Sequence, residues 1–157
     1  MRKEFFDYLL KLMGQNEKIY VIFVGLGYPR YEEFKNTYPD RVINTEAAEQ
    51  TALDIAVGLS MSGMIPFVYT ITPFYWRAAE TIRYYIAHEN LPVIMCGAGR
   101  DDDYSKEDGF SHDATDIDVL MDGLNITSYY PEDEAIMRYS LIEAIKSKRP
   151  SFLSLIR

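Results

Sequence analysis

The sequence holds one cysteine, two histidines and no basic cluster, and each scarcity excludes something. A lone cysteine, Cys96, cannot form an internal disulfide and fits a reducing compartment. Inside "LPVIMCG" it reads as a packed residue, not a reactive one. No Cys/His/Asp spacing resembles a metal site. Asp101, Asp102 and Asp103 belong to the run "RDDDYSKED" at 100–108, which reads as a solvated acidic loop. The net charge of −8 argues against a nucleic-acid or anionic-membrane surface. No apolar run is long enough to span a bilayer and no signal peptide is recognisable, so the expected location is cytoplasmic. GxGxxG and a P-loop lysine are both missing, which leaves a nucleotide phosphate cradle without support.

What is present is a globular composition: 157 residues, 48% apolar and 25% charged, enough for one domain, residues 1–157, with a real core. The 13 Tyr and 8 Phe are a high aromatic load, in keeping with a large subunit interface. Helical and strand patterns alternate. "EFFDYLLKLMG" predicts an amphipathic helix, "KIYVIFVG" a strand, "RYEEFKNTYP" a short helix and "RVINT" a short strand. "NTEAAEQTALDIAVGLSMSG" follows as a helix, "IPFVYTI" as a strand, and "TPFYWRAAETIRYYIAHEN" as a helix with Pro73 in its first turn. "LPVIMCGAG" is a buried strand, then come a loop, the helix "ATDIDVLMDG", the strand "NITSYYP", the helix "EDEAIMRYSLIEAIKSK" and the strand "PSFLSLI". Near-continuous apolar strands between helices predict a doubly wound α/β domain with a mostly parallel sheet of about six strands and helices on both faces. Ligands in such sheets bind beyond the carboxyl ends of the strands, so "GLGYPR", the Thr45–Glu49 turn, "TITPF" and the 97–112 loop should share one rim.

One residue breaks the pattern of the 44–63 helix. With Thr45 as N-cap and Gly63 as the stop, Ala52, Leu53, Ala56 and Leu59 share an apolar arc, and Glu49 points into its middle. A buried, unpaired carboxylate is costly or is driven neutral. Either Glu49 lies in a first turn still open to water, or something there needs a carboxyl group. Glu46 would occupy the first helical position and serve the helix dipole. His112, in "DGFSHD", is structural or catalytic on pattern alone; Ser111-His112-Asp113 are sequence neighbours and make no triad. His88 fits a partner for a helix C-terminus.

Four stretches in order carry a resemblance: "DRVINTEAAEQTALDIAVGLSMSG", "MIPFVYTITPF" with a following Arg, "NLPVIMCGAG", and "DGFSHDATDIDVLM". Together they resemble the pyrimidine-binding domain of transketolase and deoxyxylulose-phosphate-synthase-type thiamine diphosphate enzymes, over nearly the whole chain. The resemblance implies the thiamine diphosphate-binding fold. It implies that Glu49 hydrogen-bonds a ring nitrogen of the cofactor's aminopyrimidine, favouring the imino tautomer that deprotonates the thiazolium carbon. Such a carboxyl would be shielded from water and held protonated or sharing its proton. Phe74 matches the aromatic residue stacked on that ring, Asp108 and His112 match contacts to substrate hydroxyls, and Arg77 matches an arginine near the substrate.

The departures are informative. Glu46 stands where the family has a small residue, and Ile71 replaces a second pocket aromatic. "GLGYPRYEEF" lacks the polar loop that helps hold a sugar phosphate, which argues against a phosphorylated substrate. Gly-Asp-Gly, the family's signature for the diphosphate and Mg²⁺, is missing, as is the third transketolase domain. The expectation is therefore a stand-alone pyrimidine-binding subunit of a split, transketolase-like transferase. A separately encoded subunit with Gly-Asp-Gly and a downstream Asn would bring the diphosphate and Mg²⁺, in an α₂β₂ assembly. The reaction would be ketol transfer, or a related decarboxylation or carboligation. The alternative is a non-catalytic interaction or dimerisation module that keeps the fold.

Overall fold

The computed structural model describes residues 1–25 and 29–157; Leu26, Gly27 and Tyr28, in the "GLGYPR" segment, lie outside the described residues. The chain begins with helix α1, Arg2–Gln15, and strand β1, Ile19–Phe23. Helix α2, Pro29–Thr37, strand β2, Val42–Asn44, helix α3, Glu49–Met61, and strand β3, Ile65–Ile71, follow. After β3 come a 3-10 turn, Thr72–Ala78, the short α4, Ala79–Thr81, and a π turn, Ile82–Ala87. Strand β4, Ile94–Ala98, leads into α5, Ser105–Asp108, and a 3-10 turn, Phe110–His112. Helix α6, Ile117–Gly123, strand β5, Thr127–Tyr129, helix α7, Glu134–Ser147, and strand β6, Ser151–Leu155, complete the order.

The six strands form one sheet in the order β2-β1-β3-β4-β6-β5, with every pairing parallel. Successive side chains of a strand face opposite sides, and the strands use both. Ile19, Val21 and Phe23 of β1, with Phe67 and Tyr69 of β3, pack under α1 and α7 through Phe5, Phe6, Leu9, Met137 and Leu141. On the other face Ile22, Val68, Met95 and Phe152 meet Leu53 and Ala56 of α3, Tyr75, Ile82 and Ile86. Much of the aromatic load is thereby core, while Trp76, Tyr84, Tyr85, Phe110 and Tyr139 stay exposed. Among the described residues no helix is long and apolar enough to cross a membrane.

The direction of winding reverses at β1. From there the chain crosses outward to β2, then returns to lay β3 on the opposite flank of β1. Helices leave from both sides of that point, so a crevice opens above the carboxyl ends of β1 and β3. Two local devices shape its walls.

The first is the entry to α3. Thr45 is not its cap: the helix starts at Glu49, with Ala48 at the cap position and no side-chain capping bond. The Thr45 hydroxyl is buried and finds no partner among the described residues. Glu46 is not helical either; it adopts a left-handed conformation (φ 52°) in the turn before the helix. Its carbonyl accepts from the Gly25 amide at 2.7 Å, and Asn44 Oδ1 accepts its own amide at 2.9 Å. Gly25 itself has φ 103°, which a side chain would strain. This turn consumes the residues expected to form the first helical turn and makes Glu49 the first residue of the helix proper. The far end behaves as expected. Gly63 takes φ 80°, with its amide bonded to Ser60 O and that of Met64 to Leu59 O, the paired bonds of a Schellman cap.

The second device is the turn after β3. A continuous α-helix is expected from "TPFYWRAAETIRYYIAHEN", yet the segment runs 3-10, α and π in succession. Buried anchors impose this. Thr72 Oγ1 donates toward Gly99 O at 2.5 Å and Ala98 O at 3.2 Å, and Tyr75 Oη donates to Val68 O at 2.8 Å. Gly97 permits the approach: a Cβ there would lie 2.4 Å from Thr72 Oγ1 and 3.0 Å from the Phe152 ring. The glycines of "CGAG" thus have a packing reason that their sequence does not disclose. Cys96 beside them is fully buried, and burial drives its thiol pKa far up, so it is held as an inert thiol.

Candidate functional site

The crevice holds a cleft of about 220 Å³ lined by Val24, Gly25, Ala47, Glu49, Ile71, Phe74 and Arg77. Its floor comes from the ends of β1 and β3, one wall from the α3 entry and the other from the 3-10 turn. Larger hollows lie elsewhere on the surface, including one of about 480 Å³ along the outer side of α3 beside Tyr84 and Tyr85. That one is open and lacks a buried charged group; the smaller cleft has one.

Glu49 is only 5% exposed, although it carries a carboxyl. The sequence pattern aims it at the core, and the structure keeps it there by pairing: Arg77 Nη1 donates to Glu49 Oε1 at 2.8 Å. Arg77 is about half exposed, so the pair straddles the boundary between core and solvent. The same guanidinium lies over the face of Phe74, 4.0 Å from the ring centroid. Their spacing explains this. A 3-10 helix has three residues per turn, so side chains at i and i+3 eclipse, and Phe74 and Arg77 are three apart in such a turn. An ideal α-helix would keep them on one face but offset them by about 60°, and the tighter winding removes that offset.

His112 arrives from the loop after β4 and packs edge-on against Phe74, ring centroids 5.2 Å apart. Ser111 Oγ lies 3.1 Å from His112 Nδ1. The structure therefore brings together Glu49, Phe74, Arg77 and His112. Asp108 is different: it is exposed at the end of α5, outside the cleft lining. Its negative charge adds to the field on Arg157, whose guanidinium pairs with Glu107 at 2.5 Å. The acidic loop at 100–108 is thus partly helical, and Arg157 ties it to the chain's end. His88 stands at the C-cap position of the π turn, its backbone amide donating to Arg83 O, and its exposed ring lies 3.0 Å from Glu89. Glu46 faces solvent near Asn44, 3.4 Å from its amide group, and does not line the cleft.

Val24, Gly25 and Ala47 are cleft residues that residue-type reasoning passed over. Only their positions, directly after β1 and β2, signal them. Among the described residues no three His, Cys, Asp or Glu side chains converge as metal ligands.

A slot with one buried carboxyl, one flat aromatic face and the aliphatic walls Val24 and Ile71 suits a flat nitrogen heteroaromatic ring. The carboxyl meets ring nitrogen or an exocyclic amine, Phe74 takes the face, and the walls exclude water. The fold and site together define a parallel, doubly wound α/β domain with a ring-binding crevice at its topological switch point. The sequence matches the family described as "Transketolase, pyrimidine binding domain" over residues 2–157. The chain belongs to that family. A 1-deoxy-D-xylulose-5-phosphate synthase from Desulfotalea psychrophila is 33% identical over 150 residues, covering 91% of this chain and 22% of that protein. The 6-deoxy-6-sulfo-D-fructose transketolase subunit SqwH of a Clostridium species is 24% identical across 100% of this chain and 49% of its own length. Among solved structures, a split-gene transketolase described as an inactive beta4 tetramer superposes with a TM-score of 0.86 at 30% identity, covering 99% of this chain and 50% of that one. The chain thus spans half or less of the relatives it matches. An aminopyrimidine, the ring of the cofactor on which transketolases and deoxyxylulose-phosphate synthases depend, fits the residues present in the cleft.

Proposed function

We propose that this chain is the pyrimidine-binding subunit of a two-component, thiamine diphosphate-dependent transferase of transketolase type. The observation that carries the reading is Glu49: a carboxyl 5% exposed, in the switch-point crevice, beside the aromatic ring of Phe74. A generic α/β domain has no need of a charge there. Two relatives support the two-component part, because one is named as a transketolase subunit and the other as a split-gene transketolase.

When bound, the cofactor supplies an acidic thiazolium carbon that carries the transferred unit. This chain's residues would do the rest. Glu49 holds or moves a proton at a pyrimidine nitrogen, in a place that Val24 and Ile71 keep dry. Phe74 fixes the ring plane. His112, held against Phe74, presents its imidazole toward substrate hydroxyls, and Arg77 offers a cation to a polar or anionic substrate group. Asp108, exposed at the end of α5 and earlier on the same loop, offers a carboxylate to the same substrate. The diphosphate and Mg²⁺ fall to a partner with Gly-Asp-Gly and a downstream Asn, in a cytoplasmic α₂β₂ assembly. The reaction class is transfer of a two-carbon ketol unit, or a related decarboxylation or carboligation.

The test is calorimetric. Thiamine diphosphate with Mg²⁺ is titrated into the chain alone and into its mixture with a co-expressed Gly-Asp-Gly protein from the same genome. Tight, Mg²⁺-dependent binding is expected only in the mixture. Tight binding by the chain alone would overturn the two-component reading.

A further inference from the structure

Arg77 already makes both contacts that an aminopyrimidine would make in this cleft. Its guanidinium is a flat, delocalised plane carrying N–H donors. One face lies 4.0 Å from the centroid of Phe74, and one edge donates to Glu49 Oε1 at 2.8 Å. We propose that Arg77 is a built-in occupant of the pyrimidine slot, a side-chain surrogate that the cofactor ring must displace. This rests on the cofactor-site reading above and deepens it.

Three features of the fold fit the role. The backbone beneath Arg77 is fixed, since Tyr75 and Ala78 on either side are fully buried and Tyr75 is anchored to Val68 O. The guanidinium itself is half exposed and able to rotate into solvent without disturbing the core. Glu49, in contrast, is almost wholly buried, and an unpaired buried carboxylate is costly. The surrogate keeps Glu49 paired until the ring arrives to replace one partner by another. A lysine would supply the charge but not the plane; an aliphatic residue would supply neither.

The proposal makes Arg77 a competitor of the ring, whereas a residue that merely helps to hold the ring would act in the opposite direction. The test uses the full chain and a neutral probe, 4-amino-5-hydroxymethyl-2-methylpyrimidine, whose binding salt does not affect through ligand charge. Binding is read by titration calorimetry, without any turnover. Releasing a half-exposed ion pair and a cation–π contact corresponds to roughly a 3- to 30-fold change in Kd. Arg77→Met should therefore bind the probe tighter by that factor. Wild-type affinity should rise between low and high salt as the pair is screened, while Arg77→Met stays flat. Arg77→Lys should fall between the two and keep the salt response, and Glu49→Gln should weaken binding in every background. Equal or weaker binding by Arg77→Met, with Glu49 still required, overturns the surrogate role and leaves the cofactor site standing. No Glu49-dependent binding in any variant, by the chain alone or in its mixture with the Gly-Asp-Gly protein, overturns the site reading, and the surrogate with it.

Discussion

Replacing Glu49 by glutamine separates what this side chain does for the fold from what it does in the cleft. The substitution keeps size and position at the first residue of α3. It removes the ion pair with Arg77, but Arg77 is about half exposed, so the pair is worth only about 0–1 kcal/mol. Against that loss stands relief from burying a charge, and the amide oxygen still accepts from Arg77. Stability should therefore change by less than about 1 kcal/mol in either direction, as read from the urea midpoint. Chemistry should suffer far more. Positioned proton transfer contributes roughly 10²–10⁴ in rate, so turnover and hydrogen–deuterium exchange at the cofactor's thiazolium carbon should fall together by that factor. Both are measured in the assembled complex. Glu46→Gln is the control: Glu46 lies exposed in the preceding turn, its carboxylate 3.4 Å from the Asn44 amide and outside the cleft lining among the described residues, so its loss should leave exchange unchanged. Exchange near wild type in Glu49→Gln would refute the reasoning outright. Exchange abolished in Glu46→Gln alone would mean that the wrong glutamate has been chosen.

The remaining expectations address the walls of the cleft and the sheet beneath it. His112→Ala removes the imidazole packed on Phe74 and should raise KM for a hydroxylated substrate, by about 1–3 kcal/mol of transition-state binding, with thiazolium exchange retained; exchange that falls as far as turnover would place His112 in cofactor activation instead. Gly97→Ala sets a Cβ 2.4 Å from Thr72 Oγ1 and should destabilise by about 1–3 kcal/mol in urea, and a neutral result would show that the 3-10 turn is not pinned there. Burial raises the phenol pKa of Tyr75 and Tyr129, and that of Tyr130 to about 12, where a hydrogen bond with Asp118 assists. A raised phenol pKa favours the neutral form in the folded state, so this stabilisation is intact below the ordinary tyrosine value near 10 and is lost as pH rises through the folded values. The urea midpoint should fall over that window, and a flat profile to pH 12 would contradict it.

The sequence by itself determined the elements and their class. Short, largely apolar, β-rich runs such as Ile65–Ile71 read as strands buried on both faces, and alternation with amphipathic helices makes them parallel. It also aimed Glu49 at the core, because a side chain's face on a helix depends only on its spacing from apolar neighbours. Local periodicity carries such information and nothing longer in range. The start of α3 lay beyond it, since the amide of Gly25 on β1 recruits the carbonyl of Glu46 and holds that residue out of the helix. The 3-10 geometry after β3 lay beyond it as well. Nothing in "TPFYWRA" opposes an α-helix strongly enough; Gly99 O and Val68 O, reached by Thr72 and Tyr75, decide the matter. From that winding follows the eclipse of Arg77 over Phe74, and from the switch between β1 and β3 follows their meeting with Glu49. The residues of the cleft could be named from their order along the chain, but their contacts required strands that are distant in sequence to lie side by side.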